Sequence, residues 1–170
     1  MFLLSCRLIG VAMLGAKTKI VVLGLVSLIA YASAWAETLE GQVVGVVDGD
    51  TIKVLDKMHK QYKIRLDQID APELHQPFGQ RAKQYLSSLV YKKKVNIEWH
   101  DKDRYKRILG TVYYQGNNIN YQMVEAGYAW AYTKYLRDGI YKTAQQRAKQ
   151  QRLGLWREKE TIPPWEWRRK

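Results

Sequence analysis

Val43-Val44-Gly45-Val46-Val47-Asp48-Gly49-Asp50-Thr51 and Ile64-Arg65-Leu66-Asp67-Gln68-Ile69-Asp70-Ala71-Pro72-Glu73 are the stretches on which the fold of this chain turns. The first is a valine-rich run that stops at the tight-turn dipeptide Asp48-Gly49. Thr51 to Leu55 then resumes, with Ile52 and Val54 on one face, and Asp56 to Lys60 is polar enough to turn. In the second stretch, Tyr62, Ile64 and Leu66 alternate with Lys63, Arg65 and Asp67, which predicts a third strand with one face inward. Each stretch sets acidic residues where an apolar strand leaves the core and meets water.

Outward from this region, Leu39 to Val47 reads as the first strand. Pro72 ends regular pairing, because it has no ladder donor. From Phe78 the period becomes helical: Phe78, Ala82, Tyr85, Leu86 and Leu89 share a face opposite Gln80, Arg81, Lys83 and Gln84. Val95, Ile97 and Trp99 form a fourth alternating strand, and Leu109 to Tyr114 a fifth that closes at Gly116-Asn117. Five strands with a helix between the third and fourth follow the order of the OB-fold, a five-stranded Greek-key barrel, mainly β within an α+β class. Ile119 to Ala126 is a short helix stopped by Gly127, and Tyr141 to Leu153 a basic helix with Tyr141, Ala144 and Ala148 inward, so about three helices are expected. Pro163-Pro164 is read as stopping any later helix, which leaves the Trp165–Lys170 tail extended.

The 170 residues suffice for one ordinary domain with a leader, and the formal charge of +12 suggests a polyanionic partner. A solvated basic surface is the bland reading of the same charge. Residues 1–36 have the pattern of a secretory signal peptide: Lys17 and Lys19, an apolar run from Ile20 to Ile29, then Ala34-Trp35-Ala36 before Glu37. The further apolar residues ahead of Met13 make Met13 a candidate true start, and an uncleaved membrane anchor is the competing reading. The single cysteine, Cys6, lies in this leader, so the mature chain relies on packing and not on disulfides. The expected location is therefore secreted or periplasmic. The domain spans 37–158, and 159–170 is a basic, tryptophan-rich tail.

Asp50 and Asp70 are the leading candidates to hold a hard divalent cation such as calcium, which takes oxygen ligands from carboxylates, carbonyls and water. Asp48 and Asp67 stand near enough in sequence to assist them. Taken alone, Asp48 and Asp50 also suit residues that merely flank a turn, and Asp70 a loop cap. Glu73, beyond the proline, is a suitable base for a water made more acidic by a cation. Arg65 and Arg107 each offer a guanidinium fork for phosphate oxygens. Individually, Glu73 and either arginine fit an ordinary surface role; the combination points to phosphodiester cleavage.

The segments Asp48-Gly49-Asp50-Thr51, Ile64 to Glu73, Asp103-Arg104-Tyr105-Lys106-Arg107, Glu125 to Trp130 and Gly154-Leu155-Trp156 together resemble the staphylococcal nuclease (thermonuclease) family over about residues 39–158. The resemblance implies that Asp50, Asp70 and the Ala71 carbonyl hold calcium. It implies that Glu73 activates or orients the attacking water, and that Arg65 and Arg107 bind phosphate. It further implies cleavage between phosphorus and the 5′ oxygen of DNA and RNA, leaving 3′-phosphate ends. Ala71 departs from the hydroxyl side chain of the best-studied member, which leaves a carbonyl ligand unaffected. Tyr105 is similar in position to a tyrosine near the nucleotide phosphate, and Tyr132 and Tyr135 are candidates for base stacking. Such a groove favours single-stranded substrate.

Two other classes compete with a secreted calcium-dependent nuclease acting as a monomer without a stable protein partner. One is a non-catalytic OB-fold nucleic-acid-binding module, which is expected to lack some of the acids and arginines found together here. The other is an envelope protein that uses the leader as an anchor and Trp165–Lys170 as an interfacial patch.

Overall fold

A computed structural model describes residues Glu37–Lys170; the leader, the alternative start at Met13 and Cys6 lie outside the described residues. The strand and helix order is β1 (Glu37–Val46), β2 (Thr51–Leu55), β3 (Gln61–Leu66), a two-residue β4 (Ile69–Asp70), α1 (Gly79–Val90), β5 (Lys94–Lys102), β6 (Ile108–Tyr114) and a two-residue β7 (Asn117–Asn118). There follow α2 (Ile119–Glu125), a two-residue β8 (Trp130–Ala131), α3 (Ile140–Gln150) and α4 (Pro164–Trp167).

The long strands lie in the order β3-β2-β1-β5-β6, and β3 also pairs with β6 in parallel through Ile64↔Ile108, Arg65↔Leu109 and Leu66↔Gly110. That pairing closes a five-stranded barrel with α-helices around it, as the OB-fold reading expected. The alternation that marked the strands also fills the barrel: Val43, Ile52, Val54, Ile64, Leu66, Val95, Ile97, Ile108 and Val112 are all buried. The register of β1 against β2 slips at Val43/Gly45, and that of β5 against β6 at Trp99/Asp101. These bulges bend the strands enough to close the barrel.

The helix α1 covers one end of the barrel with Ala82, Leu86 and Val90. Phe78 is not its first inward residue, as the periodicity suggested. It takes a left-handed conformation (φ 69°) and packs with Trp130, Trp156 and Trp165 in a second apolar cluster. Asn120 on α2 is wholly buried and fully bonded: Oδ1 accepts from the Val112 amide at 3.0 Å, while Nδ2 donates to the carbonyls of Asp67 at 3.0 Å and Gly110 at 3.1 Å. This side chain fastens the loop after β3 to the barrel.

The tail differs from its sequence reading. Pro163-Pro164 starts a helical turn, with Pro164 at a first-turn position where its missing N–H costs nothing. Trp165 is thereby carried onto Trp130 and Tyr132. Among the described residues no helix is long and apolar enough to cross a membrane.

Candidate active site

The end of β3, the start of β2 and the segment from Ile69 to Glu73 converge on one carboxylate cluster. Gly49 makes that convergence possible, since a Cβ there would lie 2.6 Å from the Ala71 Cβ and 2.8 Å from the Ala82 Cβ. The Asp50 carboxylate is tied on both oxygens: Oδ1 accepts from the Thr51 hydroxyl at 3.1 Å and Oδ2 from the Ala71 amide at 2.8 Å. Asp48 Oδ1 accepts from the Asp50 amide at 3.1 Å, which keeps Asp48 beside it.

Arg65 is the hub. Its side chain is 12% exposed, and Nη2 lies 3.1 Å from Asp50 Oδ2 and 2.9 Å from Asp70 Oδ1. Its Nη1 donates to the carbonyls of Leu66 at 2.5 Å and Ile69 at 2.9 Å. The arginine therefore fixes both aspartates and the loop between them. Burial raises the Asp70 pKa above the usual carboxylate range despite the arginines beside it. Burial, followed by the neighbouring charge of Asp50, raises Asp48 to about 6. Crowded, partly desolvated carboxylates of this kind are stabilised by added positive charge.

Glu73 is placed by a loop that folds back on the start of α1. Its amide donates to Gln76 Oε1 at 3.2 Å, and Gly79 lets its carbonyl approach the helix so closely that a Cβ would stand 1.8 Å from that oxygen. The side chain is half-exposed and turned toward Asp70, because one guanidinium spans both. Arg168 donates from Nη1 to Glu73 Oε1 at 2.6 Å and from Nη2 to Asp70 Oδ2 at 2.7 Å. Arg168 was not singled out by the sequence.

Arg107 stands apart from this hub. It directly precedes Ile108, which pairs with Ile64 inside the barrel, so Arg107 lies on the outer face, as Arg65 does. Its Nε donates to Asp103 Oδ2 at 2.6 Å, and among the described residues its two terminal nitrogens make no hydrogen bond. Burial raises Asp103, but hydrogen bonds from Arg107 outweigh it and hold the carboxyl below the usual range. An arginine braced through Nε with both terminal nitrogens open is suited to an anion. Tyr105 is exposed, and its ring lies 4.8 Å from the Arg104 and 5.5 Å from the Arg107 guanidinium.

The tyrosines arrive through β8. The pairing Asp70↔Trp130 and Ile69↔Ala131 sets Tyr132 next to the loop that carries Asp70, and the Tyr132 amide donates to the Gln68 carbonyl at 2.8 Å. Tyr135 packs edge-on against Tyr132 with centroids 4.8 Å apart. Gln68 organises this neighbourhood in a way the sequence did not signal. Left-handed at φ 63°, it uses Oε1 to accept from the amides of Arg137 at 2.7 Å and Asp138 at 2.8 Å. Asp67, read as able to assist the metal, is paired with Arg137.

A family model described as "Staphylococcal nuclease homologue" matches residues 63–158. The chain is 50% identical over 128 residues to a protein of Haemophilus influenzae described as an uncharacterized endonuclease, covering 75% of this chain and 72% of that one. The chain belongs to the staphylococcal nuclease family. An Escherichia coli protein described in the same words is 46% identical, over 76% of this chain and 85% of its own. A Shigella flexneri protein named "Micrococcal nuclease" is 43% identical, with 85% and 88% covered. This staphylococcal nuclease homologue is thus a nuclease with nucleic-acid substrates, built on the barrel that its sequence predicted.

The donors at its carboxylate cluster are oxygens, without histidine or cysteine, which suits a hard cation. Among the described residues no three acidic, histidine or cysteine side chains converge tightly enough to hold an ion alone. Asp50 and Asp70, which share one arginine donor, offer carboxylate oxygens of the kind such a cation takes.

Proposed function

We propose that the nuclease is a calcium-dependent, sugar-non-specific phosphodiesterase that hydrolyses DNA and RNA and leaves 3′-phosphate ends. The observation that supports it best is the Asp50–Arg65–Asp70 cluster with Glu73 turned toward it from the next loop. Asp50, Asp70 and the Ala71 carbonyl would hold the ion. When bound, it would neutralise phosphate charge and make a water easier to deprotonate. Arg65 keeps the two aspartates in place and faces the phosphate beside them. Arg107 meets the equatorial oxygens with its two open nitrogens, where charge builds in the transition state. Glu73 takes the proton of the attacking water as its oxygen bonds to phosphorus. The bond from phosphorus to the 5′ oxygen breaks, and that oxygen leaves with a proton from solvent.

Tyr132 and Tyr135 form an aromatic corner next to Asp70, and Tyr105 flanks Arg107, an arrangement that suits unstacked bases on a single strand. We assign the protein to the periplasm or the medium on the signal-peptide pattern of residues 1–36, with a monomer as the default state.

The test is cleavage of heat-denatured DNA and of RNA by the purified protein with calcium, magnesium or a chelator, followed by phosphatase-sensitive labelling of the ends. Cutting of both polymers with calcium alone, giving 3′-phosphates, is expected. Salt-sensitive binding without cutting under any of these conditions contradicts the reading and favours a binding module.

A further inference from the structure

The C-terminal segment lies across the site just described. Arg168 bridges Asp70 and Glu73, the first a carboxylate assigned to the cation and the second the assigned base. One turn back, Trp165 is stacked on Tyr132, with ring centroids 5.2 Å apart and planes 4° from parallel. The segment thus presents a cation to the carboxylates and a flat aromatic to the tyrosine corner. These are the two features that a metal-loaded, base-stacked substrate would bring.

We propose that residues 163–170 form an autoinhibitory strap, an internal occupant that divalent cation and nucleic acid must displace. The proposal rests on the metal-dependent reading above and adds a regulation of the same site. A divalent ion ligated by Asp70 stands about 2.4 Å from its oxygen, and the Arg168 guanidinium already lies 2.7 Å from Oδ2. Arg65 pairs with Oδ1 of Asp70 and leaves Oδ2 open, so the ion and Arg168 compete for that second oxygen. The same guanidinium holds Glu73 Oε1 at 2.6 Å, so the oxygen assigned to the attacking water is already engaged.

The strap is a short segment held by side-chain contacts. Gln76 Nε2 donates to the Ile162 carbonyl at 2.6 Å and anchors its root, next to Glu73. Beyond that, it is held by Trp165 on Tyr132 and Trp130 and by Arg168 on the two carboxylates, while α4 is a single turn and the Arg168 side chain is 40% exposed. The ion competes for the carboxylates that Arg168 holds. A polyanion competes for the guanidinium itself, so substrate assists opening.

The experiment is calorimetric titration of the full chain with calcium chloride, for the unaltered protein, Arg168→Gln and Arg169→Gln. The last removes the same charge from the neighbouring residue and controls for general electrostatics. The Trp165 indole N–H resonance is followed in parallel. Arg168→Gln is expected to bind calcium about tenfold more tightly, and Arg169→Gln within about twofold of the parent. In the parent, calcium is expected to shift the Trp165 resonance as the stack opens. Equal calcium affinity in all three proteins overturns the strap and leaves the metal-dependent reading intact. Loss of cutting in Arg168→Gln at saturating calcium also overturns it, by making Arg168 part of the working site. No calcium binding in any of them overturns the strap and the metal reading together.

Discussion

Arg65 donates to Asp70 from Nη2 at 2.9 Å, and the same nitrogen lies 3.1 Å from Asp50. With Nη1 on the carbonyls of Leu66 and Ile69, one side chain holds the geometry of the carboxylates and the backbone that delivers them. Arg65→Gln leaves two nearly buried aspartates without that partner and is expected to lower unfolding free energy by roughly 3–5 kcal/mol. Urea denaturation with chelator checks it. A loss under about 1 kcal/mol would mean that Arg65 does not brace the site.

Arg107 has a different task. Asp103 holds its Nε, so the remaining nitrogens form a fork of fixed direction. Arg107→Lys keeps the charge but loses both the brace and the fork, and turnover is expected to fall at least about a hundredfold with the fold intact. Near-normal turnover, read beside an unchanged circular-dichroism melt, removes Arg107 from phosphate binding.

Asp48 gives the protein a pH dependence of stability. Its pKa rises from an ordinary 3.8 to about 6 on folding, chiefly through burial. Between those values the folded chain retains a proton that the unfolded chain has released. Stability in ion-free solution therefore falls as pH rises through this window, and the deficit persists above it. Asp48→Asn removes this titration while preserving an acceptor for the Asp50 amide. It is expected to match the parent near pH 4 and to exceed it by roughly 2–3 kcal/mol at pH 7.5. Parallel profiles for the two proteins contradict the assignment.

Gly79 sets the position of Glu73 by close approach. A Cβ would meet the Glu73 carbonyl at 1.8 Å, so Gly79→Ala must displace the loop or the helix start. A stability loss of roughly 1–3 kcal/mol is expected, with a disproportionate loss of turnover as Glu73 shifts. Gly139→Ala, where nothing lies within 4 Å, is the matched control and is expected to change neither.

The barrel was legible because its strands alternate cleanly. Ile52 and Val54, or Ile64 and Leu66, can face only one way, and Thr51–Leu55 begins and ends where the pattern places it. Asp50, Arg65, Asp70 and Glu73 could be read together because they fall at or near strand ends in one stretch of sequence, whereas Arg107 comes later and is braced by Asp103. What periodicity does not encode is long-range closure. Arg168 meets Asp70 across most of the chain, through a helical turn too short to show a period. Pro163-Pro164 was read as a stop, although a proline at a helix start is favoured. Gln68 takes its left-handed backbone from the tertiary bonds it makes, and nothing in its local sequence asks for that. Phe78 packs in the tryptophan cluster, which is assembled from residues distant in sequence and so carries no local period.

Glu73 bears the central claim most directly. Single-turnover cleavage of a denatured oligonucleotide by Glu73→Gln, in calcium and beside a direct measurement of substrate affinity, separates chemistry from binding. The expected result is a rate lower by at least about a thousandfold with affinity changed by less than about threefold, since the amide keeps the shape but cannot take the proton. A rate equal to that of the unaltered protein would remove Glu73 from the reaction and contradict the account.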